Sequence, residues 1–567
     1  MTRLRYIFLA AMATMLMACS SDYVYEHSQE EILPEIQTLT ISLTEDEQLV
    51  LMQMRNPNNR ICIDEATETA LDAISFFNGA TTRSVAAQVI AGVTALRSEP
   101  TTQTATRSTD GNELDIQFPD TLAFVFNFAN DAGFTIVAAD TRIESQILAF
   151  TDNGNFENAA EIPGVALFLE GLDAYIEYSI IRAEHLRDSL MAGIMAKAQE
   201  VMEKWQASID TNTRWNCCCT SNIIRCPQCG KPSPWSGSAW WSFFPMFVRA
   251  GPWTTTQIVE PLLPVEWGQW FPFNYRVPLL CPNPERPERG GRAPAGCVAT
   301  ATAQLMAFWG HPARIDNNEF ALNWHILRMF TARPGKYGNV QGRQRLPQFG
   351  GSFNSNEQLF VNQVSEFMLR IGRNIDMHYT CTGSSATTQN AVNWLESLGY
   401  TVPRVSWGYD AVAVRNSITN RRPVLIEGWT VAGGHLWLLD GFLRQSRVVT
   451  TEYWVGWTTS CGTVTIPPLN CDWCRREWGA PPSPPIISTR TEVSPFFIHN
   501  NWGWGEAGRL GYPVPNNGNG FFVEGSFEVL QRRFESDGTV GSPGPPPHNF
   551  NRSLSTFTNI HVRGINP

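Results

Sequence analysis

One stretch constrains this chain more than any other. A cysteine follows a glycine and opens a run of small and apolar residues, Ala295-Gly296-Cys297-Val298-Ala299-Thr300-Ala301-Thr302-Ala303-Gln304-Leu305-Met306. The run reads as a buried helix, and the glycine lets the backbone turn sharply where it begins. The N–H groups of a first helical turn are unpaired, and their partial positive charge favours a thiolate over a thiol. Cys297 is therefore a candidate nucleophile. The alternative is a small core residue, a common fate of free cysteines.

At 567 residues the chain has room for about three or four domains. With 43% hydrophobic and 17% charged residues it is globular. A formal charge of -11 lacks the basic footprint of a nucleic-acid binder. The N-terminus is more specific: Arg3 and Arg5 precede an apolar run from Tyr6 to Met17 that ends in Leu16-Met17-Ala18-Cys19. A basic segment before a short apolar one reads as a secretory signal, too short for a membrane span. Its ending resembles a bacterial lipobox, which would make Cys19 the lipidated first residue of an exported lipoprotein, at the outer membrane or cell surface.

The rest divides into three parts. Residues 20–207 begin as a polar tether with one short amphipathic piece. Helical spacing follows from Ala66 to Phe77, then strand-like runs from Thr121, Phe134 and Ser145 separated by turn signals such as Asn130-Asp131-Ala132-Gly133. Pro163 to Ala207 returns to helical spacing. Residues 208–259 are rich in cysteine and tryptophan and read as a linker. From residue 260 to 567, helices near Asn356–Gly372 and Thr388–Leu398 precede strands near Pro423–Trp429, Leu436–Leu439, Phe496–Asn500 and Gly520–Val523. Helices first and strands later is an α+β pattern.

A cysteine nucleophile needs a base and a group that orients the base. Gly433-Gly434-His435-Leu436-Trp437 sets a histidine at the start of an apolar strand, with glycines that let a substrate backbone approach. In His499-Asn500-Asn501-Trp502-Gly503-Trp504-Gly505, the Asn501 amide can accept the Nδ1 proton of that base and Trp502 can shield the bond. Gln269, upstream of the cysteine, can donate to an oxyanion. The order Gln, Cys, His, Asn is that of papain-like cysteine proteases.

Together, Gly296-Cys297-Val298-Ala299-Thr300-Ala301-Thr302-Ala303-Gln304, Gly433-Gly434-His435 and Asn501-Trp502-Gly503-Trp504-Gly505 resemble the streptopain family of bacterial cysteine peptidases, peptidase family C10. Trp267-Gly268-Gln269, Leu322-Asn323-Trp324, Asp376-Met377 and Ser385-Ala386 add smaller matches, so the resemblance covers about residues 260–530. It implies a papain-like fold, with a helical subdomain bearing Cys297, a sheet subdomain bearing His435 and the cleft between them. It also implies peptide or protein substrates and no cofactor or metal. Cys297 would attack the peptide carbonyl and form a thioester, and His435 would pair with it and protonate the leaving amine. Asn501 would orient His435 under Trp502, and Gln269 with the Cys297 N–H would form the oxyanion hole. Ser385 and Gly434 would bind substrate. The strands from Phe124 to Asp140 resemble the inhibitory prodomain of such zymogens, so residues 20–207 would block the cleft until the chain is cut within about 205–260.

Two insertions depart from the family. One carries Cys217, Cys218, Cys219, Cys226 and Cys229; the other, near 445–495, carries Cys461, Cys471 and Cys474. Their C-x-x-C pairs have ligand types for structural zinc, but export favours disulfides, with the pairing open. Glu506 and Leu436 stand where smaller residues are expected. The rival reading is a catalytically silent, surface-tethered binding protein that keeps the protease fold.

Overall fold

The computed structural model describes residues 39–53, 58–80, 89–97, 116, 118–208, 240–281, 290–331, 344–404, 408–430, 433–459, 462–464, 486–505, 517–529 and 553–565. Cys19 and the cysteines of both insertions lie outside them.

The N-terminal part is a helix, α1 (Ile63–Ala80), against an antiparallel meander of β1 (Ile90–Arg97), β2 (Thr121–Phe128), β3 (Phe134–Ala138) and β4 (Ile147–Thr151). Gly133 closes the β2–β3 turn at φ +108°, where a Cβ would sit 2.0 Å from the Thr151 carbonyl oxygen, so only glycine fits. The long helix α2 (Pro163–Ser208) starts on a proline, whose missing N–H costs nothing in a first turn. Arg142 is buried between Asp140 at 2.7 Å and Glu184 at 2.9 Å, fastening the meander to α2.

In the C-terminal part, strands β5 (Trp240–Ala250) and β6 (Thr254–Val259) precede α3 (Cys297–Trp309), α4 (Ser355–Asn374), α5 (Thr388–Ser397) and α6 (Ala411–Thr419). Then come β7 (Val424–Thr430), β8 (Gly433–Thr459), β9 (Ile486–Val493), β10 (Phe497–Asn501), β11 (Gly520–Val523) and β12 (Ser553–Phe557). Helix α4 has the sequence hallmark of a capping box, Asn354 and Glu357, and both reciprocal bonds form. Strand β8 pairs antiparallel with β5, β6, β7, β9 and β10. Helices segregated from a mainly antiparallel sheet make this an α+β protein, as its sequence pattern predicts.

Two apolar cores follow. One surrounds α3 and takes in Leu305, Phe360, Phe367 and Leu395 from the helices. The other is shared: Phe134, Val165, Phe168 and Leu172 from the N-terminal part pack with Val424, Trp437, Trp502 and Phe522 of the C-terminal part. The sheet is shared too. Strand β10 pairs with β11, and β11 pairs with β4 through Gly520↔Thr151, Phe521↔Phe150 and Phe522↔Ala149.

Several elements differ from the sequence-based expectation. From residue 240 the expected linker is sheet, because β5 and β6 find partners along β8. The strand expected at Leu436–Leu439 runs on to Thr459 for the same reason. Strand β12 follows a Pro/Gly-rich stretch and carries little signal of its own; it exists because the β7 edge accepts it. A disulfide joins Cys281 to Cys381 across 100 residues, a pairing that no local pattern encodes.

Burial separates two ion pairs of the N-terminal part. Arg142→Ala leaves the buried Asp140 carboxylate without its cation and Glu184 with Arg187 alone, and is expected to cost about 3 kcal/mol. Arg182→Ala, at an exposed pair with Glu144, should change stability by less than ~1 kcal/mol. Urea unfolding followed by circular dichroism checks both.

Candidate active site

Cys297 opens α3 directly after Gly296, whose φ of +92° suits glycine. A Cβ at Gly296 would also come within 2.9 Å of Met377 and 3.0 Å of the Ser384 carbonyl. The glycine therefore seats the nucleophile against the wall that carries Ser385. That wall is held by the backbone pair His378–Ser385, by Ser384 Oγ donating to the Pro294 carbonyl at 2.7 Å, and by the Cys281–Cys381 disulfide.

The other wall is β8. Its Leu436 N–H donates to the Cys297 sulfur, which puts the nucleophile beside the residue that follows His435. His435 is buried among tryptophans, parallel to the Trp437 ring at 5.7 Å and edge-on to Trp504 at 5.3 Å. Its Nε2 lies 2.9 Å from the Trp502 carbonyl oxygen. A carbonyl only accepts, so Nε2 carries the proton and, in the neutral ring, Nδ1 keeps the lone pair.

This corrects the expectation for Asn501. The group that orients His435 is the Trp502 main-chain carbonyl, acting on Nε2 and not on Nδ1. Asn501 is spent elsewhere: its Oδ1 accepts from Gln304 Nε2 and from the Gly503 N–H, each at 3.2 Å, and its Nδ2 donates to the Val265 carbonyl at 3.3 Å. These bonds shape the turn that presents the Trp502 carbonyl. The sequence carries the Asn-Trp motif, but whether the amide or the next carbonyl meets the base depends on strand register.

Gln304, fully buried, links the two sides of the site. Its Oε1 accepts the Trp267 N–H at 2.9 Å while its Nε2 serves Asn501. Thr300 donates to the Gly268 carbonyl at 3.2 Å, and the Gln269 carbonyl accepts the Ala295 N–H at 2.7 Å. Gln269 is thus tied to the turn before Cys297, and its side-chain amide makes no hydrogen bond to a described residue. Gln304 lies within the cysteine motif, whose sequence assigns it no role of its own. A glutamine on an otherwise apolar buried helix was the available signal, since a buried amide must find partners.

The N-terminal part sits on this site. A Cβ at Gly164, in the first turn of α2, would lie 2.2 Å from the Trp502 ring and 3.0 Å from His435 Cδ2. Leu167 packs over Gly428, the residue paired with His435 across the strands. The electrostatic result is a silent pair. Burial pushes the Cys297 thiol up, against the pull of the N–H groups around it. Burial also lowers His435 from 6.5 to about 4, against the Trp502 hydrogen bond. Helix-terminal activation of the thiol, expected from the sequence, is overridden here by desolvation: both groups are neutral at pH 7.

Gly434 lies under the Trp429 ring, and Ser385 lines a cavity of about 460 Å³ with Thr388, Glu427, Trp429 and Phe557. Among the described residues no group of three or more His, Cys, Asp or Glu is placed to hold a metal.

Two family models match parts of this chain. Residues 267–462 match the Peptidase C10 family model, and residues 64–176 match the Spi protease inhibitor model. Streptopain of Streptococcus pyogenes serotype M1 is 27% identical over 216 residues, 33% of this chain and 52% of streptopain. The thiol protease/hemagglutinin PrtT of Porphyromonas gingivalis is 23% identical over 380 residues, 64% of this chain and 36% of PrtT. The chain thus spans about half the length of the streptopains it matches. Among solved structures, a fragment of Prevotella intermedia prointerpain A aligns over 76% of this chain and 94% of its own, at 15% identity and a TM-score of 0.36. Active interpain A from the same organism aligns over 55% of this chain and 97% of its own, at 16% identity and a TM-score of 0.29.

The shift at His435 makes the docked state acid-sensitive. Its folded value lies below the ordinary 6.5, so the folded state binds fewer protons than the unfolded one. Stability from this group is complete above pH 6.5 and is lost as pH falls towards about 4, on the order of 3 kcal/mol in all. Urea midpoints at pH 7 and pH 4.5 should fall less with acid in His435→Gln than in the unaltered chain.

Proposed function

We propose that this chain, whose residues 267–462 belong to the Peptidase C10 family and whose residues 64–176 form a Spi-inhibitor-like prodomain, is a cysteine endopeptidase made as a zymogen. The observation that carries the reading is the seat of Gly164 against His435 and Trp502. Among the described residues, the first turn of α2 covers the base that the reaction needs.

Removing the prodomain takes away part of the burial that keeps the pair neutral. The proton on the Cys297 sulfur then passes to His435 Nδ1, because Nε2 stays committed to the Trp502 carbonyl. The thiolate attacks the carbonyl carbon of a peptide bond. Negative charge on the former carbonyl oxygen is met by the Gln269 amide and the Cys297 N–H. The C–N bond breaks as His435 gives its Nδ1 proton to the leaving amine, and a thioester remains. His435 next takes a proton from water, whose oxygen attacks the thioester and releases the new carboxylate and the Cys297 thiol.

We also propose that the protein is exported and held at the outer membrane or cell surface by lipid on Cys19. The Arg3, Arg5, apolar-run and Leu-Met-Ala-Cys pattern supports this reading. Among the described residues no helix is long and apolar enough to cross a membrane.

Three measurements test these readings. Protein lacking residues 1–19, incubated with casein, should shorten itself and cut casein, and Cys297→Ala should do neither. Silence of both, even after limited trypsin treatment, would replace the peptidase by a silent binding protein. Gly164→Leu forces a side chain into the Trp502 ring and should raise the self-processing rate of the full chain about tenfold or more, read on a gel. In cells, Cys19→Ser should move the protein from the membrane fraction to the soluble one.

A further inference from the structure

The cavity beside the nucleophile holds a carboxylate without a counter-ion. Glu427 lies on β7 directly across from Leu436, whose N–H reaches the Cys297 sulfur. It is half-buried, and its Oε1 accepts a hydrogen bond from Thr388 Oγ1 at 2.8 Å. Among the described residues no lysine or arginine pairs with it, and Oε2 has no partner. Asp376 adds a second acid to the same cavity. Among the described residues the one cation there is Arg404, which donates to Ser555 Oγ at 3.0 Å and lies over the Phe557 ring at 5.6 Å.

The apolar walls complete the shape. Trp429 is 48% exposed at the rim over Gly434, so its ring is open to an incoming side chain. Phe557 comes from β12, a strand beyond the 267–462 segment that matches the peptidase family. An aliphatic stem can lie along these rings while a cationic head reaches Glu427, the division of labour that suits lysine and arginine. An acidic side chain would meet Glu427 and Asp376 instead.

Glu427 also bears on the nucleophile, since its charge opposes formation of the Cys297 thiolate. A bound cation would neutralise that opposition. The pocket thus favours a basic side chain both in binding and in the chemical step.

We propose that Glu427 is a specificity-determining residue, selecting peptides whose side chain in the Ser385–Glu427 cavity is arginine or lysine. The proposal rests on the peptidase reading for its substrate class. The cavity's acids, Glu427 and Asp376, set it apart from an apolar pocket.

The test uses fluorogenic peptides that differ only in the residue filling this cavity: arginine, leucine or glutamate. The activated enzyme should show a kcat/KM for the arginine peptide about tenfold or more above that for the leucine peptide. Glu427→Gln keeps the acceptor for Thr388 and the side-chain shape; it should lower that ratio about tenfold. Glu427→Arg should turn the preference towards the glutamate peptide. An arginine-to-leucine ratio that is the same in Glu427→Gln and the unaltered enzyme would overturn the proposal, as would a preference of the unaltered enzyme for glutamate. A second readout needs no turnover, because the cavity exists in the full chain with the prodomain docked. Titration calorimetry of full-length Cys297→Ala with the blocked arginine and leucine peptides should give a Kd about tenfold lower for arginine, and equal values would sink the idea. If no peptide is cleaved but the arginine peptide still binds selectively, the peptidase reading fails and the pocket assignment stands.

Discussion

Strand β8 is the constraint on which the rest of this structure depends. It carries His435 at its start and then hydrogen-bonds along its length to β5, β6, β7, β9 and β10. A strand bonded on both edges cannot shift register without turning every side chain to the other face. That fixes His435 against Gly428 on one side, while pairing of β8 with β10 brings the Trp502 carbonyl to its Nε2 on the other. The helix that carries Cys297 meets this strand through the Leu436 N–H. Gln304 reaches from α3 to Asn501, at the end of β10, and to the Trp267 N–H near Gln269. Cys297, His435 and Gln269 therefore share one frame.

The same frame explains how the site is kept silent. The prodomain does not simply stand in the cleft; it extends the sheet through β4 and β11 and enters the core beside Trp437 and Trp502. Such burial is the dominant favourable contribution to association, and it is used here to desolvate an acid–base pair. A neutral imidazole and a neutral thiol lose little in a dry site, whereas an ion pair would lose its hydration. The N-terminal part contributes to the burial around His435, through Gly164 in the first turn of α2.

Burial does not treat all polar groups alike. Asp140, Arg142 and Glu184 are satisfied inside the prodomain by each other. Gln304 and Asn501 are satisfied by main chain and by one another. Among the described residues Glu427 keeps only Thr388, and the Gln269 amide has no partner. Polar groups left with unused capacity beside the nucleophile are those that a bound peptide can complete.

Much of this was legible in the sequence. The Gly296-Cys297 step, the two glycines before His435 and the Asn501-Trp502-Gly503 turn are local patterns with local causes, since each requires a backbone that only particular residues allow. Helical spacing likewise placed α1, α2, α4 and α5, and the strand pattern placed β2, β3 and β4 of the meander but not β1. What lay beyond the sequence depends on which distant segments meet. The Trp502 carbonyl replaced the Asn501 amide as the partner of His435 because strand register, not residue type, decides which acceptor arrives. The Cys281–Cys381 bond, the pairing of β12 with β7, and the place of Glu427 in its cavity were set by tertiary contacts. So was the ionisation of the dyad. Residue types determined that a thiol and an imidazole were available, but burial in the folded chain decided that both are neutral, because the cost of burying a charge depends on the whole surroundings and not on the neighbours in the chain.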